Sequence, residues 1–139
     1  MKKVLLGGLL LTAIMCSGSA TAAATSTDGT YTGTLTCDPL PTTTRLRVKL
    51  SMAVEQGRVS YEREILQQGK KTGRFERGTG TVSETGDVAV KGWGATPSMK
   101  FDAEYKGRIT GDRIQLEGTQ QWLDAGSVYT RSCQIELSR

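Results

Sequence analysis

The chain has no histidine and no asparagine among its 139 residues, and each absence excludes something. Without His, the commonest metal ligand and the commonest general base at neutral pH are both missing. Without Asn there is no N-x-[ST] acceptor for glycosylation. Proline is scarce at 3 residues, and Pro39 and Pro41 nearly adjoin. Long apolar runs are also scarce. The only one, Val4 to Met15, is about twelve residues, where a bilayer-crossing helix needs ~20, so no integral membrane segment is expected once it is removed.

That run has the setting of a leader. Lys2 and Lys3 precede it, and a small-residue stretch from Ser17 to Ala24 follows, with cleavage choices after Ala22, Ala23 or Ala24. Residues 1–24 are therefore expected to be a secretory signal peptide, and residues 25–139 a single β domain. Lipidation at Cys16 is not expected, because Met15 stands where that cleavage pattern needs a small residue. Removing the leader leaves Cys37 and Cys133 as the only thiols of the 3 cysteines. In the periplasm or outside the cell they should form one disulfide.

The net charge of +4 includes Lys2 and Lys3, so the exported chain carries 16 basic against 14 acidic groups. Such a balance does not point to nucleic acid.

What is present is alternation. From Thr44 to Glu55, Leu46, Val48, Leu50, Met52 and Val54 alternate with polar or small residues. A helix would scatter these around its circumference, so a half-buried strand is expected. The same reading gives strands over 29–37, 58–66, 74–83, 88–93, 99–109, 113–123 and 127–137. The stretch Gln67 to Gly73 reads as the longest loop, and Gly92 to Ser98 as an irregular connection. Eight strands joined by short links suit an all-β, antiparallel up-and-down barrel, with a β-sandwich as the alternative. Cys37 shares a face with Tyr31 and Leu35, and Cys133 with Tyr129 and Ile135, so a disulfide would close the seam between the first and last strands.

The run Gly29-Thr30-Tyr31-Thr32-Gly33-Thr34-Leu35-Thr36-Cys37 and the terminal Tyr129-Thr130-Arg131-Ser132-Cys133 resemble a group of uncharacterised exported proteobacterial β domains. That resemblance implies no activity. In layout the chain also resembles lipocalin-like barrels, whose first strand carries Gly-x-Trp where this chain has Gly29-x-Tyr31; no binding residue carries over.

On the inward faces, Tyr61, Phe101, Tyr105, Trp122 and Tyr129 are candidates to line a ligand pocket, or else to fill the core. Gly33, Gly107 and Gly118 fall at inward positions, where they leave room for a cavity or serve strand coiling. Arg63 is inward by the period of its strand and needs an anion, from a ligand or from a paired Glu; Arg77 invites a weaker form of the same argument. Arg45, Arg47 and Lys49 make a basic outer stripe that Lys70, Lys71 and Arg74 could extend from a loop, either as a contact for an acidic partner or as a solvated edge. The same-face carboxylates Glu62 and Glu64, or Asp102 and Glu104, lie on exposed faces that would not raise a pKa. With no His, no free thiol and no phosphate loop, neither an enzyme, a cofactor nor a metal site is expected.

The expectation is thus an exported barrel that acts by binding. A carrier of a small amphipathic ligand is one form. A module that presents loops to another protein, such as an extracellular hydrolase, is the second, and a structural envelope component the third.

Overall fold

Alternation with period two needs something to bury one face, and eight strands here supply it for one another by closing. The computed structural model describes residues 26–139; the expected signal peptide, residues 1–24, and Cys16 lie outside the described residues. The strands are β1 (Gly29–Cys37), β2 (Leu46–Glu55), β3 (Arg58–Gln67), β4 (Lys70–Val82), β5 (Asp87–Ala95), β6 (Met99–Thr110), β7 (Arg113–Asp124) and β8 (Ser127–Ser138). They form a closed antiparallel barrel in chain order, so the sandwich alternative falls. Cys37 and Cys133 are register partners across the β1–β8 seam and are disulfide-bonded. Closing a loop of 96 residues removes unfolded-state entropy worth ~4–5 kcal/mol in the chain-entropy model.

Two expected loops shrink. Gln67 to Gly73 is not a loop: Gln68 (φ 50°) and Gly69 (φ 75°) make a two-residue turn, and β4 starts at Lys70. Positive φ at both central residues matches the twist of a tight hairpin, which Gly tolerates without strain. The surplus residues go into a bulge instead, since Glu64 pairs with Phe75 but Leu66 pairs with Lys71. Likewise β5 continues to Ala95, leaving only 96–98 as the link to β6.

The barrel has unlike ends. At one, the turns between β2 and β3, β4 and β5, and β6 and β7 meet residues 26–28 and the C-terminus. Tyr31, fully buried, donates its hydroxyl to the Thr27 carbonyl at 2.8 Å. The Arg139 guanidinium lies 5.4 Å over the Tyr31 ring and donates to the carbonyls of Asp28 (2.6 Å) and Ser26 (3.1 Å) and to Asp112 Oδ1 (2.9 Å). This end is closed. Behind it a continuous core includes Leu35, Met52, Val90, Ile114, Leu116 and Ile135. A smaller apolar group, Leu40, Ile65, Phe101 and Trp122 with Met99 and Tyr129 against it, sits toward the other end.

Gly107 and Gly118 do not open the interior. A Cβ at Gly107 would lie 1.9 Å from the Gln115 carbonyl oxygen, and one at Gly118 1.7 Å from that of Glu104. They let neighbouring backbones approach and the sheet coil; Gly33, against Glu136, does the same.

Candidate binding site at the open end

Between the two apolar groups lies a buried polar layer: Arg63, Glu76, Gln120 and Arg131. Strand parity puts them there. Arg63 follows Val59 and Tyr61 inward on β3, and Glu76 is its direct partner on β4. Gln120 and Arg131 are direct partners on β7 and β8. The layer therefore consists of two cross-strand pairs, and they are chemically unlike.

The first pair is neutral overall. Arg63 Nη2 forms an ion pair with Glu76 Oε2, and Tyr61 donates its hydroxyl to Glu76 Oε1 at 2.6 Å. Tyr61 reaches that carboxylate because its neighbours lack side chains: a Cβ at Gly78 would stand 2.0 Å from the ring, and one at Gly92 2.3 Å from the hydroxyl oxygen. Burial, followed by the charge of Glu76, pushes the Tyr61 phenol far above its ordinary range. It is a fixed donor.

The second pair carries a net charge. Arg131 is 6% exposed, yet its Nε (2.9 Å) and Nη2 (2.7 Å) both donate to the neutral Oε1 of Gln120. Trp122 Nε1 donates to the same oxygen at 3.2 Å, and Gln120 Nε2 donates to the Tyr105 hydroxyl at 2.9 Å. Burial pushes the Tyr105 phenol upward too, so it also stays neutral. Among the described residues no carboxylate pairs with Arg131. Burial, then the like charge of Arg63, lowers its pKa below the ordinary arginine value, but arginine starts so high that it stays protonated. The layer thus holds two guanidiniums and one carboxylate, and that carboxylate is paired with Arg63. The Trp122 ring, 5.4 Å from the Arg131 guanidinium carbon, offsets part of the cost.

Arg131 and Trp122 help line a cavity of about 640 Å³ that opens at this end, walled also by Leu40, Ile65, Met99 and Thr43. Phe101 backs it by stacking on Trp122 with ring centroids 4.3 Å apart. The wall is incomplete on one side: β2 pairs with β3 only from Ala53↔Ser60 to Glu55↔Arg58, and beyond that point the strands splay around the cavity. The rest of the lining is mixed, with Thr44, Gln67, Gln68, Arg45 and Arg47 beside Leu46 and Val48; an opening with apolar patches and an unneutralised cation at its floor can hold an anion with an apolar body.

Of the expected lining residues, Tyr61, Arg63 and Tyr105 belong to the buried layer, Phe101 and Trp122 to the apolar group above it, and Tyr129 is half-buried beside that group. The anion Arg63 requires is Glu76. Arg77 points outward, contrary to expectation, and binds Glu62 at 2.5 Å, because β4 pairs Glu76 with inward Arg63 and Gly78 with inward Tyr61. The basic residues do not form one stripe. Arg45, Arg47 and Lys49 flank and line the exposed face of β2, whereas Lys70, Lys71 and Arg74 stand on β4 with β3 between, and they project from a strand and its bulge.

Sequence reasoning passed over Glu76, Gln120 and Arg131. The signal was available for two: Gln120 lies two residues before Trp122, and Arg131 midway between Tyr129 and Cys133, both at inward parity. Glu76 was hidden because its inward neighbours on β4, Gly78 and Gly80, carry no apolar side chain. Among the described residues no three His, Cys, Asp or Glu side chains gather as metal ligands. No family model, curated protein or solved structure matches the chain.

Proposed function

We propose that the barrel binds a small amphipathic anion at its open end, with the acidic group against Arg131 and the apolar body among Leu40, Ile65, Met99 and Trp122. The single observation that carries this is the 6% exposed Arg131, hydrogen-bonded among the described residues only to a neutral amide at the floor of an accessible cavity. A buried charge without a counter-charge costs several kcal/mol. Such a charge supports binding when it faces a site that an anion can enter.

Binding without turnover is the favoured form. The chain has no His to activate a hydroxyl, Cys37 and Cys133 are bonded to each other, and the buried carboxylate Glu76 is engaged by Arg63 and Tyr61. The leader-like residues 1–24 and the disulfide support a periplasmic or extracellular setting.

The test is fluorescence titration of a Trp93→Phe variant, which leaves Trp122 as the reporter, with a series of straight-chain carboxylates and the corresponding alcohols. Saturable binding of carboxylates is expected. Arg131→Gln should weaken them about tenfold or more, since a charge-assisted hydrogen bond contributes roughly 1.5–3 kcal/mol, and should leave the alcohols almost unchanged. Equal loss for both series, or no saturable binding, overturns the reading.

A further inference from the structure

The splayed seam has a second property that does not depend on Arg131. From Leu46 to Met52, β2 pairs with β1 on one side, but on the side facing β3 it has no ladder partner among the described residues. The backbone N–H and C=O groups of every second residue there are directed at β3 without a ladder partner among the described residues. Leu46 and Val48, on this lip, are half-buried, and with Ile65 and Leu66 on the other lip they line the cavity rather than meet across it. An open edge of this kind is a template for another strand.

The charges beside the edge select the occupant. Arg47 and Lys49 point outward, opposite Thr36 and Thr34 on β1, and among the described residues neither has a carboxylate partner. The acids on the opposite lip are already engaged: Glu62 holds Arg77 at 2.5 Å and Glu64 holds Lys71 at 3.6 Å. The unbalanced charge at the gap is therefore positive and lies on β2. A second copy of the chain is a poor occupant, because two β2 edges paired about a dyad would bring Arg47 and Lys49 of one against those of the other.

We propose that the edge of β2 over Leu46–Met52 receives an extended acidic peptide segment as an added strand. Acidic residues at alternate positions would face Arg47 and Lys49 outside, and apolar residues between them would face Leu46 and Val48 at the cavity. The edge accommodates about seven residues, or ~23 Å at strand rise. Main-chain hydrogen bonds supply affinity, and the two alternating faces supply selectivity.

The probe is the capped peptide Glu-Val-Glu-Val-Glu-Val-Glu, with its Lys-for-Glu counterpart as control, followed by calorimetry and by hydrogen exchange resolved to single amides. Saturable binding at low salt is expected, with new protection at alternate amides between residues 46 and 52. Charge reversal at both positions, Arg47→Glu with Lys49→Glu, should weaken binding about tenfold without lowering the unfolding temperature, and should make the Lys peptide the better ligand. Arg131→Gln should leave the peptide's affinity unchanged, which separates this proposal from the anion site. Slow exchange of those amides in the free protein overturns it, as does binding without their protection, equal affinity for the two peptides, or protection that arises from self-association alone.

Discussion

The two halves of this barrel are built from the same alternating strands and differ in what occupies the inward positions. In the closed half those positions are apolar or glycine, from Met52 and Val54 through Ile114, Leu116, Ile135 and Leu137, and Arg139 with Tyr31 seals the end. In the open half the same periodicity delivers Arg63, Glu76, Gln120 and Arg131 to the interior, and β2 parts from β3. The closed half is a scaffold whose register is enforced by burial. The open half departs from that rule at four cross-linked positions, and such local departures mark where a protein gives up stability for a site.

The largest effect should come from breaking the closed half. Met52, fully buried, replaced by Asp places an unpaired carboxylate in the core, which should cost on the order of 5 kcal/mol and unfold a domain of ordinary stability. Lys49→Asp, three residues earlier on the outer face of the same strand, should change stability by less than about 0.5 kcal/mol. Urea midpoints of the two variants check this; equal losses would mean that the register of β2 is wrong.

Next is the neutral pair of the open half. Glu76→Leu strands Arg63 in the interior and should cost about 3–5 kcal/mol, whereas Arg63→Met combined with Glu76→Leu and Tyr61→Phe, which removes the hydroxyl that Glu76 accepts from, should return to within about 1 kcal/mol of the parent or exceed it. A triple variant as damaged as the single one would show that the pair contributes packing that apolar residues do not replace.

How much of this was legible in the sequence depends on what stands at the inward positions. Where alternation is uniformly apolar, as from Leu46 to Val54, period two alone identifies the strand, its inward face and its place in the core, and the two cysteines identify the seam. The open half obscures the pattern because its inward residues are polar. Arg131 stands between Tyr129 and Cys133 at inward parity, but a charged residue in a strand reads as surface until the parity is followed through. Glu76 was harder. The inward positions that follow Glu76 are Gly78, Gly80 and Val82, so only one apolar side chain marks the inward face of that part of β4. The splay between β2 and β3 leaves no signal at all, since Val48 and Ile65 are the residues a paired strand would also carry.

A smaller effect lies in the pH dependence. The Tyr61 and Tyr105 phenols titrate above their ordinary value when folded, so the folded state keeps protons that the unfolded chain releases. Their contribution is complete below about pH 10 and is lost as pH rises above it, at about 1.4 kcal/mol per pH unit for each tyrosine. Tyr105→Phe should remove one tyrosine's share of that slope in denaturation curves measured between about pH 10 and 11. An unchanged slope would mean that Tyr105 is accessible to solvent in the folded state.

The contrast between the halves comes to a point at Arg131. Chemical denaturation of parent and Arg131→Met, each with and without a saturating straight-chain carboxylate, separates a residue kept for packing from one kept for an anion. If Arg131 is held for a ligand, the variant without carboxylate is at least as stable as the parent, because an uncompensated buried charge has been removed. The carboxylate then raises the midpoint of the parent by the stabilisation that binding confers and leaves that of the variant where it was. A variant that loses several kcal/mol on its own, or whose midpoint still rises with carboxylate as the parent's does, would contradict an anion site at the open end.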